Sequence, residues 1–194
     1  MTKEPRIKSK RIFVSLLLIA TLLLTPILGS DIYANDLTEK QRIDSYIEIV
    51  SSEYAICPEL VMAIVETESG YDPYARNGSC SGLMQVSTYW HKGRMQSLGV
   101  TNIFDEQSNI LVGVDYLSEL LEQYDEPLAL MVYNMGYTTA YSYYKNGTIS
   151  SYAKNILVRK KELQFEHALS FIKGATEWEA EDPPCLQRSG KTVS

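Results

Sequence analysis

Apolar residues recur at helical spacing through most of the chain. Between residues 36 and 53, Ile43, Tyr46, Ile47 and Val50 fall on one face, which predicts an amphipathic helix. Cys57-Pro58 opens the next one, because a proline in the first turn gives up an N–H that has no helical partner anyway. Along it Val61, Ile64, Val65 and Glu68 share a face, since residues three, four and seven apart are neighbours on a helix. Ser69-Gly70 and Asp72-Pro73 then break the pattern. A loop of small and polar residues runs from Ala75 to Ser81, and a compact segment, Gly82-Leu83-Met84-Gln85, follows. Val86 to Leu98 is polar and predicts a short helix. Asp105 or Ser108 is placed to cap another, whose stripe is Ile110, Val114, Leu117, Leu121 and Tyr124. Glu126-Pro127 starts a helix that buries Leu128, Met131 and Val132. Tyr133, Tyr137, Tyr141 and Tyr144 continue it at spacings of four, four and three, which predicts a tyrosine face. Ser150 to Phe171 is the last helical stretch. The strand signal is confined to a short ribbon around Ser79 to Val86, so the fold class is mainly α.

Glu68 is the position where this pattern meets chemistry. It continues an apolar stripe, and burial disfavours an ionised carboxylate, so its pKa should rise. A raised pKa suits a general acid near neutral pH. Glu66 lies about 200° round the helix and reads as a solvated residue. The helix alone leaves two readings of Glu68 open: a general acid, or a carboxylate that ends the apolar face and reaches water.

The two ends of the chain carry different information. Lys3, Arg6, Lys8, Lys10 and Arg11 precede an apolar run from Ile12 to Leu28, the layout of a secretory signal with a cut after Ala34. The run is nearly long enough to span a bilayer, so residues 1–34 are either a signal peptide or a membrane anchor. Either way the basic flank puts the remainder outside the cytoplasm. Five of the 18 basic and two of the 24 acidic residues lie in that segment, which leaves 13 basic and 22 acidic, a net charge of −9. Such a balance carries no electrostatic footprint for nucleic acid. Residues 35–162 make one domain, and residues 163–194 are a helix end followed by an acidic, Pro-bearing tail, read as disordered.

Cys57 and Cys80 flank the Glu68 helix in a chain bound for an oxidising space, so they are expected to pair, with two separate thiols as the alternative; Cys185 is left over. His91 and His167 have no Cys or His partner at zinc spacing, so neither a metal nor another cofactor is expected. His91 reads as a groove or surface residue, or as a catalytic base. Asp72 and Asp105 are the candidates for a second carboxylate, competing with a turn and a helix cap. The tyrosine face reads either as packing or as part of a sugar groove, a ring with a polar tip suiting both.

Four motifs in order now point to one family. Glu68-Ser69-Gly70-Tyr71-Asp72-Pro73 followed by Gly82-Leu83-Met84-Gln85, then Asn109-Ile110 with Gly113 and Tyr116-Leu117, then Tyr133-Asn134-Met135-Gly136, and finally Tyr152, resemble the soluble lytic transglycosylases, relatives of goose-type lysozyme. The resemblance covers roughly residues 43–160. It implies a lysozyme-like fold and cleavage of the β-1,4 bond between N-acetylmuramic acid and N-acetylglucosamine in peptidoglycan, leaving 1,6-anhydro ends. Glu68 would be the catalytic acid and base. Ser69, Gln85 and Asn134 would orient the sugar or the acid, Met84 and Tyr133 would line the groove, and Tyr152 would hydrogen-bond Glu68. Met135 departs from the family's usual Ala. The partner implied is the glycan strand, and a secretion or conjugation apparatus fits a small wall-opening accessory. A hydrolytic lysozyme of the same fold, or a non-catalytic peptidoglycan-binding module, is the alternative reading.

Overall fold

The structure, a computed structural model, describes residues 37–180, with side chains as far as 173. The signal or anchor segment, Cys185 and the end of the acidic tail lie outside the described residues. Contacts divide the chain after Thr38, and the helices described below belong to the unit that begins at Glu39.

Helix α1 (Glu39–Tyr54) buries Ile43, Ile47 and Val50, the face expected from their spacing. Helix α2 (Pro58–Ser69) has Pro in its first turn and Cys57 at its N-cap, and ends at Gly70, whose N–H reaches Glu66 O at 3.1 Å. Leu60 to Val65 are all buried, so α2 is the central rod and its apolar character extends right round. Each such aliphatic side chain contributes about 1.5–3 kcal/mol through removal from water. Met62 and Ala63, on the Glu66 side of the helix, are core residues as well. After Val65 the helix comes out to solvent, with Glu66 exposed and Glu68 half-buried.

Beyond α2 the chain forms three two-residue strands, β1 (Arg76–Asn77), β2 (Cys80–Ser81) and β3 (Val86–Ser87), antiparallel in the order β1-β2-β3. The registers are Asn77 opposite Cys80 and Ser81 opposite Val86. Helix α3 (Lys92–Ser97) is shorter than the polar stretch Val86–Leu98 predicts, because Val86 and Ser87 go to the sheet. Helix α4 (Glu106–Gln123) is capped by Asp105, whose carboxylate accepts from Ser108 N at 2.9 Å. Helix α5 (Glu126–Met135) is capped the same way by Asp125 on Leu128 N.

The predicted continuous tyrosine face does not exist. Gly136 adopts φ 76°, ψ 159°, ends α5 and starts α6 (Tyr137–Tyr144) in a new direction. Tyr133 is thereby separated from Tyr137, Tyr141 and Tyr144. The last helix, α7 (Ser151–Ala180), runs nine residues past Phe171, so Glu177 and Glu179 are helical where the composition suggests a tail. Its 30 residues span about 45 Å. Contacts pair Glu68 with Tyr152, Glu66 with Arg159 and Glu59 with His167. Partner numbers fall as the α2 numbers rise, so α7 lies antiparallel along α2.

Candidate active site

Three elements converge on the last turn of α2. Glu68 sits one residue before the helix end, where positive φ at Gly70 (60°) and Tyr71 (70°) turns the chain away. Tyr152, in the first turn of α7, donates its hydroxyl to Glu68 Oε1 at 2.5 Å, the contact that the family resemblance implies. Burial raises the Glu68 pKa above its ordinary value of 4.5, and the Tyr152 bond, which favours the carboxylate, offsets part of the rise. Burial and the nearby Glu68 charge in turn hold the Tyr152 hydroxyl protonated. The result is a carboxyl with one fixed oxygen and one oxygen left for chemistry. Glu66 points the other way, bonded to Arg159 Nε at 2.9 Å on the exposed side, and Arg159 also holds Glu162 and Glu166.

A cavity of about 870 Å³ opens beside this acid. Gln85, Trp90, His91, Arg94, Tyr116, Tyr133 and Asn134 form much of its wall, which contains no Asp or Glu. The wall stops short of Glu68. Tyr133 links the two, because it belongs to the wall and lies close enough to Glu68 for that charge, with burial, to hold its hydroxyl protonated. That hydroxyl donates to Met84 O at 2.9 Å.

The segment Gly82-Leu83-Met84-Gln85 is pinned from both sides. Gln85 is in the left-handed region (φ 47°), and its Nε2 donates to Gly82 O at 2.9 Å and Ala75 O at 3.1 Å. Its Oε1 is buried with no hydrogen-bond partner. Asn109, almost wholly buried, holds the other side. Its Oδ1 accepts from Met84 N at 2.7 Å, and its Nδ2 donates to Ser81 O and Ile103 O at 2.8 and 2.9 Å.

Several expected site residues sit elsewhere. Met84 is fully buried, and its side chain packs so closely on α4 that a Cβ at Gly113 would collide with its Sδ; only its backbone serves the groove. The Ser69 hydroxyl donates back to Val65 O at 3.1 Å, within its own helix. Asn134 is exposed in the groove wall. Asp72 accepts from Tyr74 N at 2.8 Å and holds a turn, and Asp105 is a helix cap, so neither stands as a second catalytic carboxylate. His91 lies against the Tyr116 ring (4.4 Å between centroids), and burial together with the Arg94 charge lowers its pKa. Arg94 is itself paired with Asp115 and Glu119. His167 pairs with Glu59 at 2.9 Å.

Cys57 and Cys80 are free thiols, not a disulfide. The twelve residues of α2, about 18 Å of helix, separate Cys57 at its start from the sheet beyond its end, whereas a disulfide needs Cα atoms within about 7 Å. The Cys57 thiol instead donates to Glu59 Oε2 at 2.9 Å. Asn109 and Tyr116 were visible only as parts of a motif. Their structural signal was a polar and an amphipathic residue in an otherwise apolar helical stripe.

A mainly helical domain with a small sheet, a half-buried acid at the end of a buried helix and a groove beside it define a lysozyme-like protein. The sequence model of the Transglycosylase SLT domain matches residues 45–156. That is more than half of the chain, and the chain belongs to this family. Among curated relatives, membrane-bound lytic murein transglycosylase F of Desulfosudis oleivorans is 30% identical over 52% of this chain and 23% of its own length. The transglycosylase of Enterobacteria phage PRD1 is 40% identical over 44% of this chain and 32% of its own. Among solved structures, the 70-kDa soluble lytic transglycosylase of Escherichia coli shares the fold with a TM-score of 0.53 at 20% identity, over 63% of this chain and 24% of that one. An inactive mutant of the lytic transglycosylase Slt of Pseudomonas aeruginosa gives the same TM-score at 21% identity, over 60% of this chain and 23% of that one. The chain thus spans less than a third of the length of these proteins.

Proposed function

We propose that this chain is a peptidoglycan lytic transglycosylase that cleaves the β-1,4 bond between N-acetylmuramic acid and N-acetylglucosamine and leaves 1,6-anhydromuramoyl ends. The observation that carries the reading is a lone acid: Glu68 is half-buried, bonded to Tyr152, and raised in pKa, beside a groove wall that has no second carboxylate. Most glycosidases that use water need two carboxylates, one on each side of the scissile bond. One is enough when the nucleophile is already part of the substrate.

Protonated Glu68 gives its proton to the glycosidic oxygen as the bond from C1 breaks. The C6 hydroxyl of the same muramoyl residue then attacks C1, and its proton passes to the Glu68 carboxylate. One bond is broken, one is made, no water is consumed, and the acid is restored. Gln85 holds the groove-floor segment through Gly82 O and Ala75 O, and Asn134 offers an amide at the groove edge. Tyr133 supports the floor through Met84 O. Ser69, whose hydroxyl proton is committed within its helix, can act only as an acceptor.

The apolar N-terminal run and the membrane-bound naming of relatives support a location outside the cytoplasm facing the wall, either secreted or anchored. Among the described residues no helix is long and apolar enough to cross a membrane. A wall-opening role beside a secretion or conjugation apparatus is part of the same reading. Mass spectrometry of products from purified sacculi tests the reaction: 1,6-anhydro ends are one water lighter than hydrolysed ends. Reducing ends instead would make the chain a hydrolytic lysozyme, and no cleavage would leave a binding module.

A further inference from the structure

The turn after α2 carries a conformation that ending the helix does not require. Gly70 already closes α2 as a left-handed glycine, with its N–H on Glu66 O at 3.1 Å. Tyr71 follows at φ 70°, where a residue with a Cβ is strained, so a contact outside the turn must hold it there. That contact is with α1. The Tyr71 hydroxyl donates to Asp44 Oδ1 at 2.7 Å. Lys40, one turn before Asp44, pairs with Asp44 Oδ2 at 2.6 Å, donates to the same hydroxyl at 3.2 Å and lies 4.3 Å from the ring centroid. Burial, the bond to Asp44 and the Asp44 charge keep the hydroxyl protonated, so it remains a donor.

The proton chemistry uses none of these three groups, yet they meet at the joint between the acid and the groove floor. Glu68 is three residues upstream of Tyr71. Downstream, Asp72 N–H closes the turn on Ser69 O at 3.2 Å, and Ala75 N–H bonds Asp72 O at 3.2 Å. Ala75 O then accepts from Gly82 N at 2.9 Å and from Gln85 Nε2 at 3.1 Å. A run of hydrogen bonds thus leads from the last turn of α2 to the segment Gly82-Leu83-Met84-Gln85. Helix ends fray unless they are tied, and a catalytic group works only when held close to its productive geometry. Tyr152 fixes one Glu68 oxygen from α7, while Tyr71 ties the end of the same helix to α1.

We infer that Tyr71, held by Asp44 and Lys40, is a positioning residue for Glu68: it fixes the end of α2, and with it the acid, relative to the groove floor. The inference deepens the proposed function and rests on it. Its consequence is that a hydroxyl which touches no substrate sets kcat and leaves KM alone.

The test is steady-state kinetics on soluble glycan strands for wild type, Tyr71→Phe, Asp44→Ala and Asp44→Asn, with thermal unfolding of each. Tyr71→Phe keeps the ring and loses only the hydroxyl; it should lower kcat by about tenfold with KM within about twofold of wild type. Asp44→Ala should do the same, and Asp44→Asn, which keeps an acceptor, should recover most of the loss. Combined with Tyr152→Phe, Tyr71→Phe should cost less than the product of the two separate losses, because both act on one carboxyl; residues with no shared partner would give losses that multiply. A lower Tm with kcat unchanged, a loss confined to KM, or losses that multiply would overturn the inference. If wild type cleaves no strand, the proposed function fails and takes the positioning role with it. If wild type cleaves and Tyr71→Phe keeps its kcat, only the positioning role fails.

Discussion

Replacing Asn109 with Ala removes three hydrogen bonds at once, two of them buried and one partly buried. Met84 N–H loses its acceptor, and the carbonyls of Ser81 and Ile103 lose their donor. A typical intramolecular bond contributes about 1 kcal/mol net, and a buried group left unpaired costs about 1–3 kcal/mol, so the variant should lose about 3 kcal/mol or more. That is a large part of the roughly 5–15 kcal/mol available to a domain, and lowers Tm by about 6–12 °C at this size. Function should suffer as well, because Asn109 holds the segment whose Met84 carbonyl anchors Tyr133 and whose Gln85 lines the groove. A shift of the groove floor by a fraction of an ångström costs about tenfold in kcat/KM. Urea unfolding measures the first effect and turnover on sacculi the second. Asn109→Asp keeps an acceptor for Met84 N–H but aims a carboxylate at two carbonyls, so it should be no better than Ala. A stability loss below about 1 kcal/mol at unchanged m would show that Asn109 is not the pin of this segment.

Removing the Tyr152 hydroxyl with Tyr152→Phe deletes a bond that favours the Glu68 carboxylate, so the Glu68 pKa rises further. The acid must be protonated to act, and activity falls as pH rises through its pKa; the basic limb of kcat/KM should therefore move to higher pH, alongside a lower kcat, and a limb that stays or moves down contradicts the assignment. Glu68→Gln should make the folded chain more stable at neutral pH, because the raised folded-state pKa means that wild type bears a cost once the unfolded carboxyl, near 4.5, ionises. The sign follows: the gain is absent at about pH 3, grows as pH rises from the unfolded to the folded pKa, and is constant above it, as urea titrations at about pH 3 and pH 8 would record.

The helices could be read from the sequence because their signals are local. Pro58, Asp105 and the i, i+3, i+4 stripes act within one or two turns, and α1, α2, α4 and α5 formed where those signals stand. Glu68 was legible for the same reason, as a carboxylate in an apolar stripe. What failed depended on the third dimension. The four tyrosines fit a single helical face until Gly136, a residue compatible with a helix in sequence, took a conformation that ends it. Met84 was assigned to the groove through its motif, but its direction is set by the missing side chain at Gly113, on another helix. Cys57 and Cys80 looked paired because their separation along the chain hides the length of the rigid helix between them. Asn109 carried only the weak mark of a polar residue in an apolar stripe, and its three partners lie 6, 25 and 28 residues away.

The central claim is that the carboxyl of Glu68 makes both proton transfers. Glu68→Gln keeps the size and the bond from Tyr152 but can neither give nor take the proton, while Glu66→Gln alters an exposed partner of Arg159 on the other side of α2. Assayed side by side on purified sacculi, Glu68→Gln should fold and lose cleavage by at least the roughly 10²–10⁴-fold that general acid–base catalysis supplies. Glu66→Gln should retain most of its activity. A dead Glu66→Gln beside an active Glu68→Gln would contradict the account.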